Sequence, residues 1–204
     1  MIITLHGFGT TGEGSHLCQA IDALAKENGE LSFTPTYPTN NPHLAYIYLA
    51  NYLSRKMGDY NSVPTLIGFD LGGFWARHLA LLCAPEKLIL INPDIAPWKS
   101  LGPYVGTNKN SGTGEKFQLA MNDVAAFHAY RCEKDRLDLK LNLILSSDDE
   151  IFDVDTTMKE FENVHKQSVH IIEGGHSFKN DYSEVLQLIK NDLFPEPEEE
   201  EESQ

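Results

Sequence analysis

Short apolar, β-branched runs alternate with amphipathic helical stretches along almost the whole chain. That alternation is the mark of a mainly parallel sheet with helices on both faces, an α/β fold. Candidate strands lie at 2–5, 31–33, 65–69, 87–91, 141–146 and 168–172. Between the first two, Ser15 can cap a helix that sets Leu17, Ala20, Ile21 and Leu24 on one stripe and closes at Gly29. Further helices are expected over 43–57, with Ala45, Tyr48, Leu49 and Tyr52 as its stripe, after Gly72, from about Asn122, and over 183–193. A chain of 204 residues suits one such domain, taken here as 1–194.

One stretch resists the pattern. From Pro93 to about Ala120 the chain holds Pro93, Pro97, Pro103 and four glycines with neither a helical nor a strand period. Irregular connections this long are functional or disordered, and this one is expected to run over the sheet's edge as a small lid. From Pro195 the chain is proline and glutamate until Ser203, so 195–204 is expected to be a disordered acidic tail.

Charge excludes several classes of partner. The formal net charge is −14, and six of those negatives are Glu196 and Glu198 to Glu202, leaving −8 on the body. Binding to nucleic acid needs a basic footprint, so it is not expected, and nor is an anionic membrane surface. No apolar run approaches the roughly 20 residues of a spanning helix, and Met1-Ile2-Ile3-Thr4-Leu5 has no basic leader. Cys18, Cys83 and Cys132 are odd in number and widely spaced, so no zinc cluster or disulfide scaffold is expected and a cytoplasmic setting is. A small-molecule substrate remains as the expected partner.

In open parallel sheets ligands bind beyond the carboxyl ends of the strands, and four segments lie there. His6-Gly7-Phe8-Gly9-Thr10-Thr11-Gly12 contains GxGxxG, but position 32–36, where a ribose-binding acid would stand, is Ser-Phe-Thr-Pro-Thr. The dinucleotide reading is therefore discounted. The same loop can present a backbone N–H to an oxyanion, with His6 structural beneath it. Gly68-Phe69-Asp70-Leu71-Gly72-Gly73 has the shape of a nucleophile elbow, G-x-S-x-G, with aspartate in place of serine. Asp also tolerates the unusual backbone angle of such a turn and favours a helix N-terminus, which is its structural reading. Ser147-Asp148-Asp149-Glu150 follows the fifth strand, where an acid can orient a histidine. Asp149 is the first choice, Asp148 an alternative and Asp153 an outsider, while a capping turn is the bland reading. Glu173-Gly174-Gly175-His176-Ser177-Phe178 follows the last strand and can swing an imidazole towards the elbow. The order Asp70, Asp149, His176 is the nucleophile, acid, base order of α/β-hydrolases. Asp94, after the strand that follows the elbow, is a second alternative acid.

With these residues in view, the chain resembles the small, nearly capless YqiA/YcfP-type α/β-hydrolases, often described as esterases. The markers are Leu5-His6-Gly7-Phe8, Leu71-Gly72-Gly73-Phe74, Asn92-Pro93, Leu101-Gly102 with Tyr104-Val105-Gly106, Thr113-Gly114-Glu115, and the acid and histidine loops just quoted. The resemblance covers almost the whole chain, up to Leu193. It implies a three-layer α/β-hydrolase fold with a sheet of about six strands and a minimal cap, no cofactor or metal, and ester or thioester substrates. It also implies His176 as base, Asp149 as its orienter, and the N–H groups of Phe8 and Leu71 as the oxyanion hole. Esterases of this kind carry serine at the elbow, and some YcfP-like relatives lack it.

Aspartate changes the chemistry. A carboxylate that attacks an ester carbonyl makes an anhydride, a high-energy product, whereas one that attacks a saturated carbon makes a stable ester. His176 could then activate water to cleave that ester. Haloalkane dehalogenases and epoxide hydrolases resemble this scheme, although Leu71 stands where the dehalogenases carry a halide-gripping tryptophan. Trp75, Trp98 and Tyr104 read as packing. Three readings follow: a hydrolase with a working Asp70, Asp149, His176 triad on ester-like or saturated-carbon substrates, a binding or regulatory protein on a lapsed hydrolase scaffold, and the discounted dinucleotide protein.

Overall fold

The computed structural model describes residues 1–136 and 138–195. The acidic tail, beyond Pro195, lies outside the described residues. The strands in chain order are β1 (Ile2–Leu5), β2 (Ser32–Phe33), β3 (Thr65–Asp70), β4 (Lys87–Pro93), β5 (Gly106–Lys109), β6 (Lys116–Leu119), β7 (Leu141–Ser146) and β8 (Lys166–Ile172). Helices are α1 (His16–Glu27), α2 (Pro42–Tyr60), α3 (Leu71–Cys83), α4 (Pro97–Ser100), α5 (Met121–Ala126), α6 (Val154–Glu160) and α7 (Ser183–Leu193).

Six strands form one wholly parallel sheet in the order β2-β1-β3-β4-β7-β8. In β3, β4 and β7 leucine and isoleucine divide its two faces. Leu66, Leu88, Leu90, Leu143 and Leu145 point into the core beneath α2 and α3, and Ile67, Ile89, Ile91 and Ile144 into the core beneath α1 and α7. Strands buried on both sides read as unbroken apolar runs because each alternate residue meets a helix layer. This is the three-layer architecture expected of the chain.

Local signals set the helix ends. Ser15 caps α1 by accepting from the Cys18 N–H, and Asn41, with Pro42 at the first helical position, caps α2 by accepting from Leu44. The stripe expected for α2 is corrected. Its inward face is Ala45, Leu49 and Leu53, while Tyr48 is exposed. The apolar character of tyrosine misled the stripe, since its ring lies on the surface beside Tyr52.

The irregular stretch after Pro93 is also corrected. It contains an antiparallel hairpin, β5 with β6, whose strands are too polar to show a period. The hairpin sits on the loop after β1, with the Ser111 N–H donating to Gly9 O at 2.7 Å and Asn110 Nδ2 to Thr10 O at 3.2 Å. Its place is thus over the carboxyl ends of the strands rather than the sheet's edge. Helix α6, anticipated only as the helix that an acidic turn would cap, is short and mostly exposed.

The chain winds one way from β1 to β2 and the other way to β3, so the order reverses at the β1/β3 boundary. Register pairs Leu5 with Gly68 there. The loop after β1 and the elbow after β3 are therefore neighbours, at the place where such sheets bind ligands.

Candidate active site

Asp70 stands at the turn from β3 into α3 with φ 55° and ψ −125°. Strand and helix meet so closely that a side chain at Gly72 would lie 2.1 Å from Leu5 O, and one at Gly68 2.3 Å from Gly72 O. Glycine is the residue both positions accept. The turn places the Asp70 carboxylate in the wall of a cleft of about 450 Å³, lined also by Gly7, Phe8, Asp94, Ser100, Tyr104, Phe152 and His176.

One contact dominates the site. The Phe8 N–H donates to Asp70 Oδ2 at 2.7 Å, and the Leu71 N–H also supports this carboxylate. The Phe8 N–H, one of the two groups expected as an oxyanion hole, thus holds an oxygen of Asp70 itself. Burial raises the Asp70 carboxyl above its usual range, while the His176 charge and the two N–H groups oppose that rise.

The loop bearing Phe8 is itself held. His6 is fully buried, stacks on Tyr37 with ring centres 4.2 Å apart, and bonds Gly7 O through Nδ1 at 2.9 Å. Burial lowers its pKa to about 4, so it is a neutral support.

His176 Nδ1 bonds Asp149 Oδ2 at 2.9 Å, which leaves Nε2 free to face the cleft. Asp149 in turn accepts from the N–H groups of Ile151 and Phe152 at 2.8 and 2.9 Å. Burial alone would raise the Asp149 pKa, but His176 and those two N–H groups together hold it below the ordinary value. For His176 burial works against the charged form, and the bond to Asp149 with the nearby Asp70 charge outweighs it, so its pKa is raised above 6.5. Phe69 and Phe152 pack against the imidazole with ring centres 5.1 and 5.0 Å away. Among the described residues no hydrogen bond joins His176 to Asp70; the two interact through charge.

The alternative acids do other work. Asp148 accepts from Gly174 N, Gly175 N and Ser146 Oγ at 2.7 to 2.8 Å, shaping the histidine loop, and these bonds hold its carboxyl far below the usual range. Asp153 caps α6 through the Thr156 N–H. Asp94 bonds Ser100 and Ala96, not His176. Each is set aside as orienter because its oxygens are occupied away from Nδ1. Trp75 is fully buried packing and Trp98 stacks edge-on with His128, whereas Tyr104 lines the cleft beside Phe8.

A model of the uncharacterised protein family UPF0227 matches residues 1–192. The chain belongs to UPF0227. Among curated relatives, the UPF0227 protein YcfP of Escherichia coli is 29% identical over 191 residues, covering 93% of this chain and 97% of that protein. A UPF0227 protein of Vibrio campbellii is 28% identical over 191 residues, with the same coverage. Among solved structures, Est1E from Butyrivibrio proteoclasticus superposes with a TM-score of 0.73 at 17% identity, over 94% of this chain and 86% of that one. The esterase domain of a Rhodothermus marinus protein gives 0.65 at 19%, over 92% and 83%. At such identities these neighbours establish the α/β-hydrolase fold for this UPF0227 chain.

Two supporting residues escaped sequence reasoning. Glu150 accepts from the His176 N–H at 2.8 Å. Asn92 accepts from the Ser146 N–H at 2.7 Å and donates to His176 O at 2.8 Å, tying β4, β7 and the histidine loop together from a buried position with φ 37°. Asn92→Ala in this UPF0227 chain is expected to strand both buried backbone groups and cost about 1–3 kcal/mol. Urea unfolding of the two proteins checks this.

The direction of the His176 shift fixes a pH dependence. If His176 serves as a base it must be neutral, so any turnover should rise with pH through a limb above 6.5, and a need for ionised Asp70 would push the same way. Asp149→Asn removes the partner that raises the His176 pKa, so the limb should move to lower pH while the rate falls. The pH profiles of kcat for the two proteins check both.

Proposed function

We propose that this chain is a hydrolase acting at a saturated carbon, through an ester formed on Asp70. The observation that carries the reading is the 2.7 Å bond from the Phe8 N–H to Asp70 Oδ2. That oxygen is held, so Oδ1 is the one left to attack. Once Oδ1 has taken up the carbon, Oδ2 becomes the carbonyl oxygen of the ester. It already sits on the Phe8 N–H, a donor that a tetrahedral intermediate needs, so that contact carries over from one half-reaction to the next. His176, oriented by Asp149, then takes a proton from water as the water attacks Cγ. In this scheme the base must address water rather than the nucleophile, which accords with the lack of a direct His176–Asp70 bond.

An ester or thioester substrate fits less well. Its carbonyl oxygen would have to displace Asp70 Oδ2 from Phe8, and the attack would end in an anhydride. Of the expectations drawn from the sequence, the reading therefore takes the saturated-carbon branch. The cleft's aromatic walls, Phe8, Phe69, Tyr104 and Phe152, suit a small apolar substrate.

A single turnover with enzyme in excess, in H₂¹⁸O, tests the reading with styrene oxide and 2-phenylethyl bromide as probes. The label should enter the Asp70 carboxylate while the first product carries unlabelled oxygen, read by peptide mass spectrometry. Label found in the first product, or no reaction with either probe, would overturn it.

A further inference from the structure

Asp94 is a second buried carboxyl in the same cleft, and the two half-reactions leave it without a task. It follows β4 and is 2% exposed. Its backbone N–H donates to the Asp70 carbonyl at 3.0 Å, which sets the two residues side by side. Oδ1 accepts from the Ala96 N–H at 2.9 Å, and Oδ2 holds the Ser100 hydroxyl at 2.5 Å. Both Asp94 and Ser100 line the cleft. Among the described residues no lysine or arginine pairs with Asp94, in contrast to Asp135, which two nitrogens of Arg77 hold at 2.8 and 2.6 Å.

Burial first, and the neighbouring Asp70 charge second, push the Asp94 carboxyl up to about 7, against the opposing pull of Ser100, the Ala96 N–H and His176. As a turn residue, Asp94 needs only an oxygen for the Ala96 N–H, which asparagine would supply without the cost of a buried, unpaired acid. What the carboxyl adds is a proton that it can give up near neutral pH.

Attack at a saturated carbon leaves an electron pair on the departing atom. A halide keeps that pair, but an oxygen is too basic to leave without a proton. Building on the Asp70 reading, we propose that Asp94, through the Ser100 hydroxyl, protonates the departing oxygen, and that the substrate class is an epoxide. Ring strain makes an epoxide reactive where an ordinary ether is not.

The steps balance. Asp70 Oδ1 bonds the ring carbon, the C–O bond breaks, and its pair goes to the ring oxygen. That oxygen takes the Ser100 proton as Ser100 takes one from Asp94. Water then gives a proton to His176 and adds to Asp70 Cγ. Collapse breaks the bond from Cγ to the substrate oxygen, and that oxygen recovers the proton from His176. Asp70 is left as an acid, and its proton returns to the Asp94 carboxylate. The sum is epoxide plus water to diol, with no other reactant.

The test compares rates of Asp70 ester formation from styrene oxide and 2-phenylethyl bromide, by intact mass, in the full-length chain carrying His176→Ala so that the ester accumulates. Adding Asp94→Asn should lower the epoxide-to-bromide rate ratio about 10²–10⁴-fold, and adding Ser100→Ala should lower it in the same direction. The bromide reaction serves as the fold control, since it needs the elbow and Phe8 intact. An equal fall with both probes would assign Asp94 a structural role and overturn the proposal, as would an ester from the bromide but none from the epoxide. Labelling by neither probe would overturn the Asp70 reading itself, and this proposal with it.

Discussion

Alanine at position 176 should stop the reaction half-way. In the reading proposed above Asp70 attacks through Oδ1 without help from a base, so His176→Ala should still form the ester and lose the step that cleaves it. Removing a positioned general base costs about 10²–10⁴ in rate. Steady-state diol formation from styrene oxide should fall by that factor, while the protein gains one substrate mass, located on the peptide containing Asp70. The outcome separates two roles for the imidazole. If His176 served Asp70 directly, as a base serves a serine, the variant would form no ester and its mass would stay unchanged. The structure argues for the first outcome, because His176 makes no hydrogen bond to Asp70, while Asp149, at 2.9 Å, fixes its free Nε2 towards the cleft. Asp149→Asn should show the same accumulation in milder form, since it loosens the ring without removing it.

Much of this was legible before any coordinates. The strands of the parallel sheet are short and apolar on both faces, so their runs stand out, as 65–69 and 87–91 do against β3 and β4. The elbow was legible because its glycines answer to backbone contacts, Gly72 against Leu5 O and Gly68 against Gly72 O. The order of Asp70, Asp149 and His176 was legible because topology sends each strand's end to the same edge. Asp149 was the first choice over Asp148 on its distance past the strand, but the pattern alone left both open. Two adjacent carboxylates after one strand look alike in sequence, and only the loop's path turns one to His176 Nδ1 and the other to the glycine N–H groups. The β5–β6 hairpin was hidden for a different reason. Its residues alternate in polarity too weakly to mark a face, and its stability comes from bonds to a loop about 100 residues earlier in the chain. Asn92 was visible only as half of an Asn-Pro pair, and its positive φ and two buried bonds belong to tertiary structure. Least legible was the bond from Phe8 to Asp70, because neither residue type announces that the Phe8 N–H is taken up by an oxygen of the elbow residue itself.

That bond also makes the second large effect calculable in direction. Asp70→Ser removes the oxygen that occupies the hole and frees the Phe8 N–H, with the Leu71 N–H beside it, for a substrate carbonyl. Serine has a short side chain, and at this φ of 55° the elbow already holds its residue towards the cleft. His176 stays oriented by Asp149 and gains a hydroxyl to deprotonate in place of water. Hydrolysis of p-nitrophenyl acetate should therefore rise over the parent by about 10²–10³, the worth of an oxyanion donor in acyl transfer. Epoxide opening should vanish with the carboxylate. The gain must disappear in Asp70→Ser combined with His176→Ala, and Asp70→Asn, whose amide still fills the hole, should stay silent on the ester. A rise that survives loss of His176 would place the new chemistry outside this cleft. No rise at all would mean that the two N–H groups cannot serve a carbonyl, and the argument from the occupied hole would fail with them. The expected pattern instead makes one side chain the switch between two chemistries on one scaffold, since the base, its orienter and the donors are common to both.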